Sequence, residues 1–252
     1  MQKLVFSLLV WVCLGLPQAG HADTGQALAD PMEVVIGWEK PPYVVVQNHS
    51  GFELELVGAV FSQLGISIQP VYVPYGRSAR LFNSGEEDVV LTISDRMGVD
   101  KRFLSSTYIR YHNVAISMRA KHLPLTDLAD LSHYSVLAFQ NARKSLGVDF
   151  ADAIDHSPVY AEAPEQGRQV ELLISGRFEV IVLDVNIFSW FYRQQTQDAR
   201  LEDVSIHRLF TPTEYHAAIR DEALRLQFNQ ALAAYLHSEA YQKLVHKYQF
   251  IE

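Results

Sequence analysis

The sequence predicts an α/β protein made of two similar blocks sharing one chain. Three observations carry this. Strand-like and helix-like stretches alternate from Glu33 onward, the pattern of largely parallel sheets covered by helices. The alternation happens twice within one chain, which points to two lobes. Apolar residues make up 48% of the 252 residues and charged residues 20%, ordinary for a folded chain with enough length for two modest cores.

The elements follow in order. Glu33 to Gly37 reads as a strand. Phe52, Leu56, Val60 and Leu64 recur every fourth residue, and Leu54, Val57 and Phe61 widen that stripe. This is an amphipathic helix, with Gly65 where a C-terminal cap belongs. Ile66 to Val73 alternates as a second strand, Arg77 to Ser84 reads as a short helix ending at Gly85, and Asp88 to Ile93 as a third strand. The second block has a strand at Ser135 to Phe139, a helix at Glu165 to Ile174 closed by Gly176, a buried strand at Val180 to Leu183, and a helix at Asn186 to Gln195. Tyr215 to Ile219 suits a strand. Leu224, Phe228, Leu232 and Tyr235 mark a helix, and Ser238 is a fitting cap for a last helix carrying Tyr241, Leu244, Val245 and Tyr248.

The N-terminus has the layout of a secretory signal peptide. Lys3 supplies the positive start, Leu4 to Leu16 an apolar run, and Gly20-His21-Ala22 a small-residue cleavage site. The run falls short of the roughly 20 residues that span a bilayer. Cleavage after Ala22 would take the net charge from −8 to −9 and remove Cys13, the only cysteine. The mature chain, with a flexible leader over 23–31, would then be a soluble periplasmic protein without disulfide or thiolate chemistry. Val10-Trp11-Val12 ahead of Cys13 is unlike a lipid-attachment site. The acidic balance, with no Lys/Arg cluster, argues against nucleic acid as a partner.

Catalytic signatures are missing. There is no nucleophile elbow, P-loop, zinc-protease motif or dinucleotide fingerprint. None of the ten histidines pair at metal-ligand spacing. The sequence therefore gives no catalytic residue, metal or cofactor. Several short patterns remain, in a fixed order: Trp38-Glu39-Lys40-Pro41-Pro42-Tyr43 after the first strand; Gly51-Phe52-Glu53-Leu54-Glu55-Leu56 opening the first helix; Leu81, Gly85, Asp88 and Val89 leading to Thr92-Ile93-Ser94; then Leu173, Gly176, Arg177 and Val180 leading to Val182-Leu183-Asp184. With these, the chain from Glu33 to Tyr248 resembles the family 3 bacterial solute-binding proteins, the amino-acid-type clamps of ABC importers.

The resemblance implies a two-lobed type II periplasmic-binding fold. Each lobe is a mostly parallel sheet flanked by helices, and two crossover strands join them. Lobe 1 would comprise 32–110 and 214–252, and lobe 2 111–213. It also implies a monomer that closes on a small polar solute and delivers it to an inner-membrane ABC permease. Asp184 stands where the family receives an α-ammonium; an N-cap for the following helix is the plainer alternative. Thr92 and Ser94 match the loop that takes the ligand carboxylate. Gln140-Asn141-Ala142-Arg143 match the second-lobe turn that offers backbone N–H groups. Trp38 and Tyr43 match an aromatic wall, or else pack in the core. The sequence departs from the family at the carboxylate clamp. Met97 takes the arginine position and Arg96 lies one residue early, while the usual glycine-rich turn is reduced to Asn141-Ala142-Arg143. Arg77, in Pro74-Tyr75-Gly76-Arg77, is a second candidate cation or a surface helix residue. Two competing roles share this architecture: an enzyme of the cyclohexadienyl dehydratase type, with Glu39 as its acid or base, and a ligand-sensing partner of a membrane receptor.

Overall fold

The structure is a computed structural model describing residues 30–74, 76–196 and 200–251. The expected signal peptide over 1–22, with Cys13 and Ala22, most of the 23–31 leader, and Tyr75 lie outside the described residues. In chain order the elements are β1 (Met32–Gly37), α1 (Phe52–Gln63), β2 (Ile68–Val73), α2 (Arg77–Ser84), β3 (Val89–Ile93), β4 (Ile109–Tyr111) and β5 (Asn113–Met118). There follow β6 (Val136–Phe139), α3 (Ala142–Ser145), α4 (Val148–Asp155), β7 (Tyr160–Ala163), α5 (Gln166–Ile174), β8 (Val180–Asp184) and α6 (Val185–Gln195). The chain ends with β9 (Val204–His207), β10 (Thr213–Ile219), α7 (Glu222–Leu236) and α8 (Glu239–Tyr248).

These form two five-stranded sheets of the same design. The first has the order β2-β1-β3-β10-β4 and the second β7-β6-β8-β5-β9. In each sheet three strands run parallel, and the fourth, β10 or β5, opposes both its neighbours. Four of five strands thus share a direction. The chain leaves the first sheet at His112, between β4 and β5, and returns between β9 and β10. These are the two crossovers that the resemblance implied.

Alternation along the strands sorts side chains to the two faces of each sheet. In β8, Ile181 and Leu183 join the large core that also takes Leu173, Ile187 and Phe188, while Val180 and Val182 face Phe150 and Ile154. Each fully buried large side chain of this kind contributes about 1.5–3 kcal/mol. In β3 the alternation slips: Val90 and Ile93, three positions apart, pack in the same cluster. The cause is a bulge. His216 pairs with Ile93 and Ala218 with Val90, so Leu91 and Thr92 together oppose Ala217. Thr92 absorbs the extra residue at φ 58°, a costly conformation for a β-branched side chain. The bulge sends the Thr92 hydroxyl to the end of the sheet.

Local chemistry explains the helix starts. Ser238 caps α8 by accepting the Tyr241 N–H at 3.2 Å, as its position predicts. Asp221 caps α7 through the Leu224 N–H at 2.6 Å. Gly51 precedes α1 at φ 120°, where a Cβ would come within 2.3 Å of the Tyr43 carbonyl oxygen. Only glycine fits there, and the tight approach brings α1 against the segment that follows β1.

Candidate functional site

The carboxyl ends of parallel strands from both sheets converge on one cleft, the usual location of a site in α/β architecture. The cleft holds about 350 Å³. Gly37 at the end of β1, Trp38 to Lys40 after it, Pro74 after β2 and Thr92 in β3 come from the first sheet, with Tyr111 and Tyr215. Phe139 at the end of β6, Gln140 after it, Pro164 after β7, and Asp184 and Ile187 at the β8–α6 junction come from the second, with Asn113 and Gln166. A contiguous groove of about 840 Å³ continues past Trp38, Glu39 and Lys40 along the first turn of α5.

Beneath the first-sheet wall lies a buried ion pair. The Lys40 ammonium is 3.0 Å from Glu53 Oε2 and donates to Thr92 Oγ1 at 3.1 Å. Glu53, fully buried in the first turn of α1, also accepts from Thr92 Oγ1 at 2.5 Å, from Tyr111 OH at 2.9 Å, and from Tyr108 OH. Burial pushes the Glu53 pKa up, but the Lys40 charge and the hydroxyl donors outweigh it, so the carboxyl sits below its ordinary value. Burial draws Lys40 below the usual lysine value, against the pull of Glu53 and Asp184. The Thr92 N–H donates to Tyr108 OH at 2.9 Å, so both Thr92 donors are satisfied inside the protein. Lys40 also lies 5.0 Å from the Tyr111 ring centroid, a cation–π contact at the cleft wall.

The second sheet contributes Asp184, only 2% exposed. Its Oδ1 caps α6 by accepting the Asn186 and Ile187 N–H groups at 2.9 and 3.1 Å, and it takes Tyr43 OH at 3.0 Å. Oδ2 accepts the His112 N–H at 2.7 Å, at the crossover between sheets. All these donors are neutral. Burial dominates and pushes the Asp184 pKa up to about 6 despite the four bonds. The capping role is therefore present, and Oδ2 retains capacity for one more donor.

Residues 32–251 match the bacterial extracellular solute-binding proteins, family 3. The chain belongs to that family. Among solved structures it is similar to the GluR0 ligand-binding core complexed with L-glutamate, at TM-score 0.68 and 15% identity over 87% of this chain and 98% of that one. It is similar to a histidine kinase sensor domain with similarity to periplasmic binding proteins, at TM-score 0.66 and 19% identity over 87% and 96%. It is also similar to AbpA from Streptococcus pneumoniae, an amino acid ABC transporter substrate-binding protein bound to L-arginine, at TM-score 0.64 and 17% identity over 86% and 94%. At such identities the likeness is one of fold, the two-lobed periplasmic-binding architecture. Among curated proteins none matches the sequence.

Against the family 3 pattern, the structure brings Trp38, Thr92 and Asp184 to the cleft. Six other expected residues lie outside the lining of this cleft. Tyr43 is fully buried, stacked on Tyr111 with ring centroids 4.1 Å apart, and positions Asp184 from behind. Ser94 and Arg96 line a different groove between the lobes, where Arg96 Nη1 donates to the Ser145 carbonyl at 2.7 Å. The loop that carries them follows the bulge at Thr92, and Arg96 is not part of the cleft lining. Arg77 opens α2, exposed and outside the cleft lining. Asn141 and Arg143 direct their backbone N–H groups to Glu162 of β7, at 2.6 and 2.9 Å. The Arg143 guanidinium forks onto Asp155. The turn expected to offer backbone N–H groups to a ligand already gives two of them to a carboxylate of the chain itself.

Lys40, Tyr111, Phe139, Gln166 and Tyr215 were not singled out from sequence. Lys40 stands within the quoted Trp38-to-Tyr43 pattern, and its neighbour on the buried helix face, Glu53, was the available signal: a charged residue among apolar ones needs a partner.

Proposed function

We propose that this family 3 chain is the exported capture subunit of an ABC importer, binding a small polar solute that carries an amine. The supporting observation is a cleft lined from both sheets, with the buried Asp184 carboxylate on one wall and Trp38, Tyr111, Phe139 and Tyr215 around it. In this reading, lobe 1 (32–110 and 214–252) and lobe 2 (111–213) close about His112 and the β9–β10 connection. A ligand touching both walls binds the closed state better and so draws the lobes together. The signal peptide ends at Ala22, the mature chain is periplasmic, and it works as a monomer with an inner-membrane permease.

The test is small-angle scattering with native mass spectrometry on protein purified from the periplasm. The radius of gyration should fall at ligand saturation, and the bound mass should identify the solute. No compaction at saturation would refute the clamp.

A second reading, ligand sensing for a membrane receptor, draws support from the similarity to a histidine kinase sensor domain. Co-purification with a receptor rather than a permease separates the two. Binding rather than turnover is our reading for Glu39, which is exposed and accepts the Val46 N–H at 2.8 Å. A catalytic acid would need a sequestered setting aimed at substrate.

A further inference from the structure

We infer that the cleft selects an organic cation that lacks a carboxylate. This rests on the capture reading above and narrows its ligand class. The donors that the family resemblance brought to the ligand are used internally or lie outside the cleft lining. Glu162 fills the α3 turn, accepting from Asn141 and Arg143 N–H. Thr92 gives its N–H to Tyr108 and its hydroxyl proton to Glu53. Arg96 is bonded to Ser145 in another groove.

The cations at the cleft are neutralised. Lys40 pairs with Glu53 and Arg168 with Glu171. Three other carboxylates on the cleft and its continuation, Glu39, Glu165 and Asp184, have no ion pair among the described residues. The first turn of α5 does present backbone N–H groups near the groove. Its N-cap residue is Glu165, which already puts a negative charge at that helix end and opposes a second anion. Lys40 keeps one N–H for a neutral acceptor such as a hydroxyl or carbonyl. A negative, aromatic-walled cleft favours an ammonium or guanidinium, and a carboxylate entering it meets like charge without an unpaired cation.

Matched probes differing only in the carboxylate test this. The protein, unfolded and refolded to remove bound solute, is titrated calorimetrically with agmatine against L-arginine, putrescine against L-ornithine, cadaverine against L-lysine, and tryptamine against L-tryptophan. In at least one pair the amine should bind, with its amino acid weaker by about tenfold or more, the consequence of like-charge juxtaposition. Glu39→Gln and Glu165→Gln should each weaken the amine and narrow that ratio. An amino acid binding as tightly as its amine would overturn the inference and leave the solute-capture reading standing. Failure of every probe to bind, across linear, guanidino and aromatic cations, would overturn the cationic class. A bound mass seen in the periplasmic protein would then show whether capture itself survives.

Discussion

Each lobe buries one carboxylate at the cleft, and the two are handled differently. Glu53 is fully buried and Asp184 is 2% exposed, so burial does not separate them. Each accepts several hydrogen bonds. The difference is a cation: Glu53 has the Lys40 ammonium at 3.0 Å, whereas the donors bonded to Asp184 are a phenol and three backbone N–H groups. Accordingly the Glu53 pKa lies below its ordinary value and that of Asp184 is raised to about 6. Neutral donors stabilise a buried carboxylate only in part. Glu53 belongs to a finished internal pair. Asp184 has no cation bonded to it among the described residues, and in our proposal the ligand supplies one.

The contrast breaks most visibly in stability. Lys40→Ala strands the Glu53 carboxylate and should lower the unfolding free energy by about 3–5 kcal/mol. Asp184→Asn keeps the α6 cap but sets an amide N–H against the His112 N–H, and should cost about 1–2 kcal/mol. Lys40→Met with Glu53→Gln removes both charges together and should recover much of the larger loss. Urea unfolding followed by circular dichroism gives all three. Equal losses for Lys40→Ala and Asp184→Asn would erase the distinction between the two carboxylates.

Binding should reverse the ranking. Asp184→Asn removes the carboxylate that would meet an ammonium and is expected to weaken a cationic ligand by about 2–5 kcal/mol, roughly thirty-fold to several thousand-fold in Kd. Native affinity in a folded Asp184→Asn variant would reduce Asp184 to a helix cap.

Titration sharpens the same pair. With its folded pKa raised to about 6, Asp184 binds a proton more readily in the folded state than in the unfolded one. Its contribution to the free protein's stability therefore falls as pH rises from about 4 to 6. Glu53, with its pKa lowered, has the opposite sign: its stabilisation is full above the ordinary glutamate value and is lost as pH falls through the folded pKa. A cationic ligand needs ionised Asp184, so affinity should drop by about tenfold per pH unit below 6, with one proton released on binding. Calorimetry at pH 5 in buffers of different ionisation enthalpy measures that proton. Its absence would place the amine elsewhere.

Most of the fold was legible in sequence where period and burial agree. α1, β3, α5, β8, α6 and both C-terminal helices follow their apolar spacing, and the two-lobed architecture follows from the order of short patterns. β4, β5, β7, β9, α3 and α4 were not anticipated. β4, β7 and β9 are only three or four residues long, too short for a period to establish itself. The site was harder to read because it depends on pairs distant in sequence. Lys40–Glu53, Tyr43–Asp184 and Asn141–Glu162 each join residues that only the sheets bring together. Asp184 was visible because one residue at a strand end suffices to mark it. The bulge at Thr92, just before Ser94 and Arg96, has no glycine to announce it.

The smallest expected effect tests the first carboxylate receptor that the chain fills from within. Glu162 is exposed on the edge strand β7, and besides Asn141 and Arg143 it accepts Tyr160 OH at 2.7 Å. Glu162→Ala should cost only about 0.5–1.5 kcal/mol, the net worth of ordinary hydrogen bonds near solvent. It also releases two backbone N–H groups at the α3 turn. The amino acid in a matched pair should then gain on its amine by about threefold, a modest step because the freed donors carry no full charge. Glu162→Gln is the control. It removes the charge but keeps an acceptor for one N–H, so a gain in Glu162→Ala that exceeds the gain in Glu162→Gln belongs to the freed donors and not to the altered field. Equal gains would mean that the carboxylate acts only as a distant charge. An unchanged ratio in both variants would place the turn beyond reach of the ligand, and in our proposal the preference would then trace to Lys40 and Thr92 being committed to Glu53 and to Arg96 lying outside the cleft lining.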